Sequence, residues 1–307
     1  MLIAFFGKGG VGKTTLAISL ARAYAQAGNS CLVISLDPAH NLSHAFSVPH
    51  YPSLRTPSPN LSILEIDAAH WQKWIIQHSQ VRMRDTFRHL DSFNLDSMLS
   101  ILEYAPGMEE QALVYGLGRE LNQHKDMYRY IFLDLPPTGL AFRVLSTPDK
   151  IVQWANQLQK IRHSILKKRN QIHHLNPDAT ILPPHDQIED DPVWQELEHT
   201  SKEMGLLHRW LHKDTRSIVV FQPTQLVMEE AFDILTQLNQ HTMKIDCIIE
   251  NRYDAVPSNK TDHHEFKRSM QLQEIPLYHI PVLDLEHRVF IPKEPIQLLY
   301  ERFQEER

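Results

Sequence analysis

The chain of 307 residues reads as an α/β protein, a mostly parallel sheet flanked by helices on both faces and carrying a helical subdomain. Three observations predict this. Short apolar runs alternate with segments of helical periodicity, as they do where helices cross over between parallel strands. The first apolar run leads into a glycine-rich loop and then a helix. Lys13, Asp37 and Asp134 all follow strand-like runs, and ligands of such sheets gather at the C-terminal ends of strands.

Residues 7–14 read Gly-Lys-Gly-Gly-Val-Gly-Lys-Thr and fit the phosphate-binding pattern G-x-x-x-x-G-K-[ST]. The run holds Gly7, Gly9, Gly10 and Gly12. Glycine permits positive φ and lets the backbone approach a ligand closely. Successive N–H groups then turn toward one anion, and the N-terminus of the next helix adds partial positive charge. Lys13 is placed to reach the β- and γ-phosphates, and Thr14 to hold Mg²⁺. Residues 2–6 supply the buried strand that must precede such a loop. Leu16, Leu20, Ala23 and Tyr24 recur at helical spacing after it, until Gly28 stops the helix. The pattern is that of a P-loop NTPase. Gly7, Lys8, Gly9, Gly10, Val11, Gly12, Lys13, Thr14 and Thr15 form the predicted nucleotide-binding loop.

A second strand leads to Asp37 and a second loop. Residues 47–60, rich in Pro and Ser, read as a surface connection. Residues 61–66 alternate as a strand does. Residues 68–127 are helical in pattern, with Trp71, Trp74 and Ile75 on one stripe and Pro106-Gly107 as punctuation. Residues 130–134 form a buried strand ending in Asp134, the place of a Walker B aspartate, which holds Mg²⁺ through its water shell. A helix over 149–173 sets Ile151, Trp154, Leu158, Ile161 and Ile165 on one face. That stripe reads as core packing ahead of a client groove. Residues 175–192, rich in proline and acids, read as a mobile loop, and 193–213 as helix. Residues 217–221, 244–250 and 275–279 read as strands, 224–240 as a helix between the first two, and 295–304 as a short amphipathic helix.

Further motifs sharpen the function. Lys8 precedes the paired glycines. Residues 37–43 read Asp-Pro-Ala-His-Asn-Leu-Ser, and residues 134–139 read Asp-Leu-Pro-Pro-Thr-Gly, with Arg143 and Leu145 downstream. Residues 106–110 read Pro-Gly-Met-Glu-Glu. This ordered set, spanning residues 5–145, resembles the ArsA/GET ATPases, the deviant Walker A class that includes arsenite-pump-driving and tail-anchored-protein targeting ATPases. ParA and MinD relatives usually carry Asp-Pro-Gln-Gly at the second motif.

The resemblance implies ATP as nucleotide and Mg²⁺ as metal, held by Thr14 directly and by Asp134 through water. It implies that Lys8 reaches across a dimer interface to the partner's nucleotide. It also implies that Asp37, in switch I, orients or activates the attacking water, that Asn41 binds near the phosphates, and that Asn251 reads adenine. Lys8, Lys13 and Asp37 are then the catalytic set. A carboxylate beside phosphate can position water without being a strong base, because phosphoryl transfer rests mainly on positioning and charge stabilisation.

Composition narrows the class. Hydrophobic residues make up 42% and charged residues 22%, as in an ordinary soluble protein. A net charge of −6 without a dense basic tract disfavours nucleic-acid partners, the basic residues between 162 and 169 being a local exception. The 2 cysteines, Cys31 and Cys247, are too few for a disulfide framework, which fits a reducing compartment, and lie in strand-like runs as small buried hydrophobes do. No run approaches the roughly 18 to 20 apolar residues of a membrane span, so a cytoplasmic protein without an integral membrane segment is expected. The 19 histidines, among them His208 with His212 and the pairs at 173–174 and 263–264, read as surface residues rather than a metal site.

Within the ArsA/GET class the chain has departures of its own. There is no Cys-x-x-Cys pair for the zinc clamp of eukaryotic targeting relatives, and too few thiols for an arsenite site. Leu135 stands for the usual Thr and Leu140 for the usual His of switch II. One P-loop, where the arsenite-pump ATPase has two fused halves, implies a homodimer. The expected protein is a single P-loop ATPase domain over 1–307, with helical insertions at 68–127 and 150–213, that couples hydrolysis to binding and release of a partner or hydrophobic client protein. The alternatives are an energising subunit with a membrane-protein partner that moves an anion or metalloid, and a ParA/MinD-like regulatory switch.

Overall fold

The computed structural model describes residues 1–38, 41–46, 53–86, 105–175, 188–252, 268, 275–280 and 301. The strands are β1 (Leu2–Phe6), β2 (Cys31–Ser35), β3 (Arg55–Ser58), β4 (Leu61–Glu65), β5 (Tyr130–Asp134), β6 (Thr215–Phe221), β7 (Lys244–Asn251) and β8 (Leu277–Ile280). The described residues build one 8-stranded sheet in the order β3-β4-β2-β5-β1-β6-β7-β8. Neighbours run parallel throughout, except that β3 lies antiparallel to β4.

The helices are α1 (Lys13–Gln26), α2 (Asn41–Phe46), α3 (Ala68–Thr86), α4 (Met108–His124), α5 (Thr138–Leu175), α6 (Pro192–His212) and α7 (Gln225–Gln240). Because side chains alternate along a strand, the sheet sorts its apolar residues to two faces. Ile3 and Phe5 of β1 join Leu16, Leu20 and Tyr24 of α1 in one core; Ala4 and Phe6 join Leu113, Leu117, Phe142, Leu207 and Leu235 of α4 to α7 in the other. Cys31 and Cys247 are buried in the α1-side core, as their strand-like runs predict.

The expected doubly flanked parallel sheet is therefore present, with three differences in its elements. The stretch read as a surface connection contains β3, which pairs with β4 through an irregular register. The helix expected from 149 begins at Thr138 and continues through Pro148. A proline there removes one backbone bond, but Val144 and Leu145 before it are buried and Ile151 and Val152 after it pack on the same core. Packing of both flanks outweighs the lost bond.

The third difference is the stripe read as core. Trp154, Ile161 and Ile165 are 63%, 57% and 49% exposed. The buried face of α5 is offset by about one residue and carries Ala155, Arg162 and Leu166 toward α6. Arg162 makes a two-pronged ion pair, at 3.0 and 2.6 Å, with the fully buried Asp191, which also accepts the Trp194 N–H as the N-cap of α6. A buried carboxylate needs such partners, and this one holds the Arg162 side of α5 against the start of α6.

All but residue 301 of the predicted helix at 295–304, the histidines at 263–264, most of the proline-rich loop, and Ala39 and His40 of the second motif lie outside the described residues. Among the described residues, no helix is long and apolar enough to cross a membrane.

Candidate nucleotide site

The loop after β1 lies at the C-terminal edge of the sheet between β5 and β6, the strands on either side of β1. Its glycines answer to close neighbours. A Cβ on Gly7, at φ 153°, would overlap the Val220 carbonyl oxygen of β6; one on Gly12, at φ 100°, would overlap the Asn251 side-chain nitrogen. Both glycines therefore let the loop nest against β6 and the end of β7. Asn251 Nδ2 donates to the Val11 carbonyl at 2.7 Å, and Gln222 Nε2 to the Gly10 carbonyl at 3.2 Å.

Lys13 opens α1 and is buried. Its ammonium donates to the carbonyls of Gly7 and Lys8 at 2.9 and 3.1 Å, so the cation sits inside the ring of its own loop. Burial pushes its pKa below the ordinary value; Asp134 and Asp37 pull the other way. Lys8 does not join it. The Lys8 ammonium lies 2.8 Å from Glu230 Oε1 on α7 of the same chain.

Asp134, at the end of β5, is fully buried. Its Oδ2 accepts the Thr14 hydroxyl at 2.7 Å and the Ser35 hydroxyl at 3.2 Å. Burial above all, with Asp37 adding repulsion, raises its pKa to about 6, against the lowering effect of Thr14, Lys13 and Ser35. Its Oδ1 is buried with no hydrogen-bond partner among the described residues. An acceptor oxygen of this kind beside a threonine hydroxyl fits a hydrated divalent cation.

Asp37 follows β2 by two residues. Its backbone N–H donates to Ser35 Oγ at 3.2 Å, so Ser35 bridges the second loop to Asp134. Asn41 is the first residue of α2, four positions on. Strand register explains the convergence: Asp134 lies beside Phe5 of β1 and beside Ser35 of β2. Lys13, Thr14, Asp37, Asp134 and Asn251 are thus brought to one edge. Sequence reasoning missed Ser35, Gln222 and Glu230. Ser35 ends one apolar strand and Gln222 follows another, positions whose chemistry shows only once the neighbouring strands are known; Glu230 sits on a helix far from any motif.

A model of the family described as anion-transporting ATPase matches residues 1–281. The chain belongs to the anion-transporting ATPase family. Similar proteins include Aquifex aeolicus arsenical pump-driving ATPase 2, so named provisionally, which is 25% identical over 99% of this chain and 97% of the relative. A Chlorobaculum tepidum protein also named provisionally as an arsenical pump-driving ATPase is 27% identical over 82% of this chain and 60% of its own length. ATPase ASNA1 homolog 2 of Paramecium tetraurelia is 32% identical over 52% of this chain and 47% of its own length. Membership makes the chain an ATPase.

Two further pieces of this family member stand out. Glu110 of the Pro-Gly-Met-Glu-Glu motif pairs with Arg143 at 3.2 Å, joining the start of α4 to the first turns of α5. His208 and His212 stack at 4.2 Å between ring centres, and the buried His212 lies 3.0 Å from the Leu145 carbonyl. His212 is thus a packing residue rather than the surface histidine its sequence suggested. Among the described residues no cluster of three or more His, Cys, Asp or Glu has the arrangement of a metal site.

Proposed function

We propose that this ATPase is a Mg²⁺-dependent homodimeric switch whose ATP state controls binding and release of a hydrophobic client protein. One observation carries the reading. A single helix, α5, begins four residues after Asp134, in the segment that resembles switch II, and runs unbroken to the exposed apolar stripe of Trp154, Ile161 and Ile165. A shift at its start on nucleotide binding would move an apolar surface. A cavity of about 570 Å³ between α3, α4 and α6, lined by Trp74, Ile75, Tyr115, Met204 and Trp210 among others, adds apolar surface in the same helical layer.

In this reading Lys13 and the loop amides hold the ATP phosphates, Thr14 and Asp134 hold Mg²⁺, and Asp37 orients the attacking water. When bound, Mg²⁺ neutralises phosphate charge. Lys8 leaves Glu230 to reach the partner's nucleotide, Asn41 lies by the phosphates and Asn251 by the adenine. Residues 1–307 act as one domain, in the cytoplasm.

The names of the bacterial relatives favour a second reading, an energising subunit for an anion or metalloid transporter. The cysteines do not support a thiolate arsenite site in it: both are buried, and burial pushes the Cys31 thiol up to about 12. An ATP-dependent pull-down decides between them, with Asp37→Asn as a slow-hydrolysis trap and Lys13→Ala as control. Enrichment of proteins with single hydrophobic tails supports the client reading. Enrichment of one polytopic membrane protein supports the transporter subunit, and no ATP-dependent partner sinks both.

A further inference from the structure

Glu65 is a buried carboxylate that the nucleotide chemistry does not use. It ends β4, and the β2–β4 register places it beside Ser35, which lies beside Asp134 in the β2–β5 register. In-register residues of parallel strands point to the same face. Glu65, Ser35 and Asp134 therefore form a polar row across the C-terminal edge, on the α1 side.

A buried carboxylate is costly unless donors surround it. Glu65 finds them in α2. Its Oε1 accepts the N–H groups of Leu42 and Ser43 at 3.1 and 3.2 Å, and its Oε2 accepts the Ser43 hydroxyl. These amides belong to the first turn, where a helix has no partners of its own and carries positive partial charge. A helix of 6 residues does not hold itself together. It is held here by Glu65 and by the buried side chain of Leu42.

We infer that Glu65 is a positioning residue of the ATPase. It holds Leu42 and Ser43 at the start of α2 while Ser35 holds the Asp37 N–H, so that Asp37 meets the site in one geometry. The inference rests on the catalytic role proposed for Asp37. The clamp acts through hydrogen bonds rather than charge: a glutamine at 65 can accept both amides on its carbonyl and donate to the Ser43 hydroxyl, whereas alanine can do neither.

The test uses Glu65→Ala and Glu65→Gln in the full chain. In Glu65→Ala, amide hydrogen exchange at Leu42 and Ser43 accelerates. Its kcat falls on the order of 10-fold to 100-fold, as misplacement of a reacting group costs, while ATP affinity stays within about threefold. Glu65→Gln restores kcat to within about threefold of the parent. Unchanged exchange in Glu65→Ala, or an unchanged kcat, overturns the clamp. So does a parallel loss of kcat, ATP affinity and thermal stability, or a Glu65→Gln variant as slow as Glu65→Ala. If Glu65→Ala does not fold, Ser43→Ala removes one bond of the clamp: a smaller fall in kcat at constant ATP affinity is expected, and full activity overturns it. Parental turnover in Asp37→Asn would fault the role of Asp37, which exchange at Leu42 and Ser43 does not read.

Discussion

Thr14 and Asp134, 120 positions apart, meet through a 2.7 Å hydrogen bond from the threonine hydroxyl to the carboxylate. The bond ties the first residues of α1 to the last residue of β5. It exists because β1 and β5 are adjacent and in register, so the loop after one strand overlies the carboxylate ending the other. Ser35 on β2 donates to the same carboxylate oxygen, which makes Asp134 the point where three chain segments share one acceptor.

Lys13→Ala is expected to lower ATP affinity or turnover by about 100-fold or more, because the loop loses the buried cation proposed to meet the phosphates. Calorimetric titration with a slowly hydrolysed ATP analogue, beside a phosphate-release assay, checks this. Parental values in both would end the assignment of the loop.

Asp37→Asn should bind ATP as the parent does and turn it over on the order of 10²-fold more slowly, since the amide keeps the shape but orients water poorly. Single-turnover kinetics separate binding from chemistry. A parental rate removes Asp37 from the mechanism.

The raised pKa of Asp134 gives a pH dependence of definite sign. A cation competes with the proton on this carboxyl, so metal-dependent turnover should rise as pH passes about 6, with metal affinity roughly tenfold lower at pH 5 than at pH 7. In the nucleotide-free protein the same shift works the other way. Its contribution to stability is full below the ordinary value of 3.8 and is lost as pH rises through about 6. Thermal melts of Asp134→Asn should therefore lose less stability than the parent between about pH 4 and pH 7. Identical pH profiles for the two proteins would contradict the shift.

Lys8→Ala breaks the ion pair with Glu230, a half-exposed contact whose loss should change stability by no more than about 1 kcal/mol. The proposed trans role predicts ATP binding near the parental value but reduced turnover. It also predicts partial recovery when Lys8→Ala is mixed with an Asp37→Asn chain, because each then supplies what the other lacks. Mixed-subunit kinetics and light scattering with and without ATP check this, and unchanged turnover in Lys8→Ala alone would refute it.

Trp154→Gln and Ile161→Gln alter exposed side chains and should shift stability by no more than about 0.5 kcal/mol. Client capture in the ATP-dependent pull-down should nevertheless fall. A large loss of stability would mean that the stripe is buried by something else, and full capture would move the client surface elsewhere.

Much of the candidate site is legible in the sequence. The loop of residues 7–14 announces phosphate binding because few other sequences satisfy its glycine and lysine requirements. Asp134 was readable because a charge ending an apolar strand has few structural uses. Ser35 was not, since a serine inside a strand carries no chemistry until its neighbours are known. The Trp154 stripe misled for a related reason. Helical spacing shows that residues share a face, but which face turns inward depends on what packs against it, here a later segment that buries Ala155 and Leu166 and pairs Asp191 with Arg162.

The local pattern alone determined that β1, α1, β2 and β5 form, that the loop has the sequence of a phosphate-binding loop, and which family's motifs the chain carries. These features depend on residues close in sequence, where spacing and conformational preference suffice. Only the tertiary structure decided that Thr14, Ser35 and Asp134 share one hydrogen-bond junction, that Glu65 holds α2, that Lys8 pairs with Glu230, and that α5 leaves its tryptophan outside. Each depends on strand order, register or helix packing, which arise from cooperation between distant segments and leave no local trace.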